Sequence, residues 1–289
     1  CQNNSHADTN LIYDHLVAIT KTEVSRSYNQ IEQLNKTAGY IHSVFSKYAD
    51  STFYQPYKIK GKSTYKNVIC SFGTENSKRI IVGAHYDVCG DQEGADDNAS
   101  GLVGLLELAR MLQGKKLNYR VDLVAYTLEE PPFFRTEYMG SAVHAKSLID
   151  QKVDVYGMLV LEMIAFFKDE KHTQEYPLKA LSLVYGNRGN YITLVKKFGA
   201  GKFTRKFCKK YKRTRVIRTK KFTGPPALEG IDYSDHLNYW KYGISAFMIT
   251  DTSFYRNKNY HKRTDKMETL DLKRMAAVID GVCSVLLKL

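Results

Sequence analysis

The run Arg79-Ile80-Ile81-Val82-Gly83-Ala84 is short, apolar and rich in β-branched residues, the pattern of a strand buried on both faces of a parallel sheet. Residues 120–128, 156–161 and 246–250 repeat it. Elsewhere the spacing is helical. Apolar positions recur at three- and four-residue intervals over 10–24, 27–49 and 102–112, with Ile31, Leu34, Ile41, Val44, Phe45 and Tyr48 on one stripe of the second. Residues 52–72 read as a polar hairpin turning at Gly61-Lys62-Ser63, and a last helix is expected over about 272–287. Strands alternating with helices predict an α/β sheet, and 289 residues with 43% hydrophobic content can bury a large core. The sequence shows no internal repeat and no apolar run long enough to span a bilayer. One domain is therefore expected over 10–289, behind a polar tether over 1–9.

Candidate chemistry gathers where these strands stop. His85 and Asp87 close the first, and side-chain alternation puts both on one face, where the acid can orient the imidazole. The second strand ends in Glu129-Glu130, the third in Glu162, and Tyr260-His261 follows the fourth. Asp97 comes twelve residues after His85, inside the turn Gly94-Ala95-Asp96-Asp97-Asn98-Ala99-Ser100-Gly101 that opens a helix. Taken singly, Asp97 reads as a helix N-cap, each histidine as a hydrogen-bonded core residue, and Glu162 as a surface acid. As a set they converge on the carboxyl edge of an α/β sheet, where ligands collect. Two imidazoles and three carboxylates suit a pair of borderline divalent ions, zinc above all, with one acid bridging and room for water. Two ions about 3.5–4 Å apart can share a hydroxide and clamp an attacked carbonyl. Consecutive residues then divide the labour, Glu130 as ligand and Glu129 as general base.

Five blocks in order carry a resemblance: His85-Tyr86-Asp87, the turn at 94–101, Glu129-Glu130 with Gly140-Ser141 downstream, Ser234-Asp235-His236, and Tyr260-His261 followed by Thr264-Asp265. From about Tyr65 to its end the chain resembles the co-catalytic zinc exopeptidase family of secreted bacterial leucyl aminopeptidases and glutamate carboxypeptidases. The resemblance implies a three-layer α/β/α fold with a central mixed, mostly parallel sheet, and two Zn2+ per chain, with Co2+ or Mn2+ as substitutes. It implies that Asp97 bridges both ions, that His85 and Glu162 complete one site, and that Glu130 and His261 complete the other. Glu129 becomes the general base, Asp87 stands behind His85, and the peptide after Asp97 is commonly cis in this family. The implied activity is that of a metal-dependent exopeptidase on peptide substrates, an aminopeptidase first. Two departures matter. Pro131-Pro132-Phe133-Phe134-Arg135-Thr136-Glu137-Tyr138 replaces the usual glycine-rich loop, which predicts a stiffer, more aromatic pocket wall. Glu162 stands where aspartate is common, as it does in the structurally related glutaminyl cyclases, which use a single zinc. Asp235, His236, Tyr255, Arg256 and Tyr260 are expected around the substrate. A carboxypeptidase would need a cation for the terminal carboxylate, for which Arg256 or Arg135 is the candidate.

Charge and cysteine content add a partner and a compartment. Thirteen Lys or Arg and no acid fall between Lys196 and Lys221, interleaved with Phe198, Phe203, Phe207, Tyr211 and Phe222. The four-residue spacing from 203 to 211 predicts a helix with a buried aromatic face and a solvated basic side. Beyond that, the charges suit an anionic membrane surface or acidic substrates better than nucleic acid, because no nucleic-acid module is recognisable. No obligate protein partner is implied. Cys1-Gln2-Asn3-Asn4-Ser5 resembles the start of a mature bacterial lipoprotein, which predicts the cell envelope or secretion. The alternative is a chain boundary that happens to fall at cysteine. Cys70, Cys89, Cys208 and Cys283 can form up to two disulfides in an oxidising compartment, and Cys89, the one nearest the chemistry, is expected to be a small packing residue. The non-enzymatic alternative is an envelope binding lipoprotein that uses the basic stretch.

Overall fold

The computed structural model describes residues 5–59, 61 and 64–289. Cys1 of the expected lipoprotein start, and Lys62-Ser63 of the expected turn, lie outside the described residues. Helices α1 (Thr9–Thr20) and α2 (Ile31–Tyr48) lead into the antiparallel pair β1 (Ser51–Lys58) and β2 (Thr64–Phe72). Then come β3 (Arg79–His85), α3 (Gly101–Leu112), β4 (Arg120–Tyr126), α4 (Gly140–Asp150) and β5 (Val155–Glu162). The rest is α5 (Leu181–Tyr185), β6 (Ile192–Lys197), α6 (Gly201–Thr214), β7 (Thr219–Gly224), α7 (His236–Trp240), β8 (Ala246–Thr250) and α8 (Leu272–Leu286). The strands form one mixed sheet in the order β1-β2-β4-β3-β5-β8-β6-β7, whose central four, β4, β3, β5 and β8, are parallel.

Period-two alternation splits the sheet's side chains between two cores. Ile80, Val82, Ala84, Leu123, Leu159, Leu161, Phe247 and Ile249 face the layer of α1, α2, α3, α6 and α8. Ile81, Val124, Tyr126, Met158, Val160 and Met248 face α4 and α7. This three-layer sandwich is the expected fold. Helix α3 is buried on every side, which its sequence permits because Glu107 and Arg110 pair at 2.8 Å and Glu107 also accepts from the Asp8 amide at 2.9 Å. Gly83 is needed because a Cβ there would stand 2.3 Å from the ring of Tyr126. Register places His85 beside Tyr126 and Glu162 beside Thr250, so the parallel strands end together.

Several expectations shift. The packed body starts before residue 10: the Ala7 amide donates to Asp280 at 2.7 Å, and the Asp8 carboxylate caps α1 by accepting from Asn10 at 2.8 Å. The helix expected around 203–211 is there as α6, and the basic stretch runs past it at both ends. Its first lysines end β6, its middle forms α6 with Phe203, Phe207 and Tyr211 buried, and its last ones lie on β7, leaving Phe198 66% exposed. Lysines at the end of β6 and along the edge strand β7 break the apolar pattern by which a strand is read, and charged side chains are common on such an edge. The disulfides that the cysteines could form are not made: among the described residues Cys70, Cys89, Cys208 and Cys283 are free, with Cys70, Cys208 and Cys283 packed in the larger core. No described helix is long and apolar enough to cross a membrane.

Candidate metal centre

Each predicted ligand arrives on a separate segment. His85 ends β3 and Glu162 ends β5; Glu130 lies just past β4, Asp97 in the turn before α3, and His261 after β8. The structure brings all five together. Asp97 Oδ1 lies 3.4 Å from His85 Nε2, and its Oδ2 lies 3.2 Å from His261 Nε2. Glu162 Oε1 is 3.5 Å from His85 Nε2, and Glu130 Oε2 is 3.1 Å from His261 Nε2. Glu129 Oε2 approaches His85 Nε2 at 3.9 Å. The four acids and His261 line a cavity of about 340 Å³ with Pro131, Phe134, Arg135, Tyr233, Ser253, Phe254 and Tyr260.

The backbone beneath these side chains is clamped by acids. Asp87 accepts from the amides of Glu129 and Glu130, at 3.1 Å each, and its carbonyl lies 3.1 Å from His85 Nδ1. Asp265 does the same for Asp96 and Asp97, at 3.0 Å each. The peptide between Asp97 and Asn98 is cis, as the resemblance implied. The Asn98 amide donates to the Leu161 carbonyl at 2.9 Å and accepts from the Met163 amide at 3.0 Å, tying the turn to the end of β5. Ser234 donates to Glu162 Oε2 at 2.6 Å. Arg26, wholly buried, donates to the carbonyls of Ile19, Tyr86, Glu93 and Gly94 and so fixes the loop that carries Asp87.

The donor set fits cations. Asp97 Oδ2, Glu130 Oε1 and His261 Nε2 are buried atoms that lack a hydrogen bond of good geometry, and uncompensated groups of this kind are costly inside a protein. Electrostatics makes the same demand. Burial, with Asp97 next, pushes Glu130 up to about 8, and burial pushes Glu129 well above the usual carboxylate range against the pull of His85. Burial would lower both ligand histidines, yet the carboxylates outweigh it. His85 is raised well above its ordinary value by Glu162, Asp87 and Asp97, and Asp97 with Glu130 lifts His261 to about 10. Burial would likewise raise Asp97, but His261 and His85 hold it below the usual range. The cluster binds positive charge of whatever kind is present; imidazole nitrogens beside carboxylate oxygens suit zinc or a similar ion.

The expected substrate residues divide. Tyr260 lines the cavity and stacks on His261 with ring centroids 3.8 Å apart. Tyr255 instead faces an adjoining, mostly apolar cavity lined also by Tyr176, Tyr185, Tyr191, Phe222 and Met248; Tyr233, Ser253 and Phe254 form walls of both. Asp235 and His236 are buried beneath the site, the His236 ring 2.8 Å from the Ile231 carbonyl. Arg256 does not reach the cavity. It is 3% exposed, donates to Gln174 at 2.8 Å and to the Phe166 carbonyl, and lies over the Tyr191 ring, so it holds loops together instead of meeting a substrate carboxylate. Arg135 does line the cavity, but it pairs with Asp232 at 2.7 Å. In the replaced glycine-rich loop Pro131 and Phe134 form wall, which gives the expected aromatic lining, while Phe133 packs on Tyr28 and Tyr65. The Arg26 clamp went unforeseen, having no periodic or spacing signal. Cys89, expected near the chemistry as a packing residue, lies beside Glu130 and His261.

A three-layer sandwich with histidines and acids gathered at the carboxyl edge of its parallel strands is the architecture of a metallopeptidase-type hydrolase. The model of peptidase family M28 matches residues 67–286, and the chain belongs to that family. It is 40% identical over 289 residues to Uncharacterized protein YfbL of Escherichia coli (strain K12), covering 97% of this chain and 88% of that one. It is 27% identical over 229 residues to a probable leucine aminopeptidase of Trichophyton verrucosum (strain HKI 0517), covering 75% of this chain and 55% of that one. The chain thus spans about half the length of the fungal aminopeptidases it matches. Among solved structures it superposes on the Legionella pneumophila LapA aminopeptidase with a TM-score of 0.75 at 19% identity, over 98% of this chain and 72% of that one. On a Bacteroides thetaiotaomicron glutaminyl cyclase the TM-score is 0.73 at 18% identity, over 98% and 99%. At such identities the likeness is one of fold.

Proposed function

We propose that the protein is a zinc-dependent aminopeptidase that holds two metal ions and cleaves the first peptide bond of its substrates. The observation that carries this reading is the Asp97 carboxylate, whose two oxygens face two separate donor sets, one at His85 and one at His261. Bound there, two ions supply polarisation of the substrate carbonyl and a hydroxide at neutral pH. His85 and Glu162 would hold one, Glu130 and His261 the other, with Asp97 between. Glu129, buried at the cavity wall with Oε2 3.9 Å from His85 Nε2, would take the proton of the attacking water at Oε2 and return it to the leaving amine. Phe134, Tyr233, Phe254 and Tyr260 form an apolar wall, and the adjoining aromatic cavity suits a bulky apolar side chain. The carboxypeptidase alternative loses support from the burial of Arg256 and the engagement of Arg135.

The same reading sets the basic face of α6 against anionic lipid at the bacterial cell envelope. Lys209, Lys212, Arg213, Arg215 and Lys221 line one concavity, and among the described residues none of them pairs with a carboxylate. The test of function is direct. Dialysed protein should retain two zinc ions per chain and release the N-terminal residue of free aminoacyl substrates while sparing N-blocked ones. One zinc per chain with ring closure of N-terminal glutaminyl peptides would replace this reading with cyclase chemistry. Metal without turnover on either substrate would leave the binding lipoprotein.

A further inference from the structure

Cys89 lies four residues past His85, on the loop after β3, and is partly exposed. The other three cysteines are packed in the larger hydrophobic core, whereas Cys89 belongs to neither core. Its neighbours are polar. Its Sγ, a carboxylate oxygen of Glu130 and a ring nitrogen of His261 all lie within 4.8 Å of one another. Glu130 is 4% exposed and its Oε1 has no hydrogen-bond partner, nor has Asp97 Oδ2 on the same side. A thiol that merely filled space would face methyl groups, not a buried acid that keeps an unpartnered oxygen.

We propose that the Cys89 thiolate is a metal ligand in the site formed by Asp97, Glu130 and His261. The two halves of the centre then differ in kind. On the His261 side Cys89, Glu130 and His261 lie mutually within 4.8 Å and Asp97 Oδ2 stands 3.2 Å from His261 Nε2, so four donors are on hand for an ion there, the number a closed site uses. On the His85 side the protein supplies three, Asp97, His85 and Glu162, and leaves a position for water or substrate. A soft thiolate also biases the closed side towards zinc and other thiophilic ions over manganese or magnesium. Binding exchanges the thiol proton for the ion and releases that proton to solvent, so no oxidant or further reactant is involved.

The inference rests on the metal-centre reading, and the experiment separates the two. Metal-stripped protein is titrated with Co2+, and the zinc-loaded protein is examined by X-ray absorption. The expected result is a near-ultraviolet thiolate-to-cobalt charge-transfer band in the parent and a zinc–sulfur distance of about 2.3 Å. Both should vanish in Cys89→Ser and Cys89→Ala, while one of the two ions weakens by at least about tenfold. Cobalt bound at two equivalents with no charge-transfer band in the parent overturns the Cys89 assignment and leaves the metal centre standing. A band that persists in both variants overturns it equally. A parent that binds no cobalt overturns both. The parent spectrum decides even if a variant folds poorly.

Discussion

Replacing Asp87 with alanine removes the acceptor of two adjacent backbone amides at once, so its cost can be worked from the structure. The Asp87 carboxylate is 1% exposed and accepts from the Glu129 and Glu130 amides at 3.1 Å each. A buried N–H left without a partner costs about 1–3 kcal/mol, which sums to about 2–6 kcal/mol. Two effects oppose this. Deleting a negative charge relieves repulsion with Asp235, and a water can enter the space and satisfy one amide. The expected loss is therefore in the lower half, about 2–4 kcal/mol. Asp87→Asn keeps one acceptor and turns an NH2 towards the other amide, so it should lose about 1–3 kcal/mol. His85 is not set adrift by either change, because its Nδ1 lies 3.1 Å from the Asp87 backbone carbonyl. Glu130 does lose its anchorage, and metal affinity should fall about 10–100-fold. The assay is urea unfolding of chelator-treated protein, which removes metal linkage from the comparison, with affinity measured separately against a chromophoric chelator. An Asp87→Ala protein within about 0.5 kcal/mol of the parent, or an Asp87→Asn protein less stable than it, would refute the clamp.

Glu129→Gln should lower turnover at least about a hundredfold while bound metal is unchanged; metal loss on analysis of the dialysed variant would reverse the roles of the two glutamates. Asp97→Ala should weaken both ions together and His261→Ala mainly one, so equal metal loss in the two variants counts against a bridging Asp97. Replacing Lys209, Lys212, Arg213 and Lys221 with glutamine should weaken binding to anionic vesicles by about 1 kcal/mol per charge at low salt, with small-peptide turnover unchanged; no vesicle binding by the parent would reduce the stretch to a solvated face. His144, buried against the Tyr239 hydroxyl at 2.7 Å, is pushed down to about 4 by burial, so its neutral form favours the fold above pH 6.5 and that contribution, about 3 kcal/mol, is lost as pH falls from 6.5 through 4. His144→Phe should flatten the acid limb of urea midpoints over that window, and an unchanged slope would sink the argument.

His85, Glu130 and Glu162 were legible because each closes or directly follows an apolar run. A β-branched strand that stops at a histidine or glutamate must deliver it to the sheet's carboxyl edge, and three runs ending that way predict a shared location before any contact is known. Glu162 illustrates the point: the run 156–161 fixed its place at the end of β5. Arg256 illustrates the limit. Its charge suggested a substrate contact, but sequence does not tell a cation facing solvent from one buried against Tyr191, Phe167 and the Gln174 amide. Arg26 was invisible for a similar reason, since its partners are four main-chain carbonyls, one seven residues before it and three 60 to 68 residues after it, a pattern no local spacing records. β6 and β7 were missed because Lys196, Lys197, Lys220 and Lys221 broke the apolar alternation that marks a strand.

The paired acids of this chain acquire a reason from the clamps. Asp96-Asp97 and Glu129-Glu130 each sit on two consecutive amides captured by the two oxygens of one distant carboxylate, Asp265 for the first pair and Asp87 for the second. With the backbone held in this way, the side chains of each pair take different directions. Asp97 and Glu130 enter the cluster with the histidines, while Asp96 turns inward to the Asn257 amide at 2.7 Å and the Ala165 amide at 3.1 Å. Glu129 turns to the His85 side, its Oε2 3.9 Å from Nε2, whereas Glu130 meets His261. A lone acid on a flexible loop could bind an ion, but it would have to be ordered at the moment of binding, at a cost of about 1–2 kcal/mol for each backbone residue fixed. Here folding has already fixed those residues, and the cost falls on a core large enough to carry it. The clamping acids therefore act on metal affinity through backbone order, which is why their removal should register in unfolding and in metal binding together.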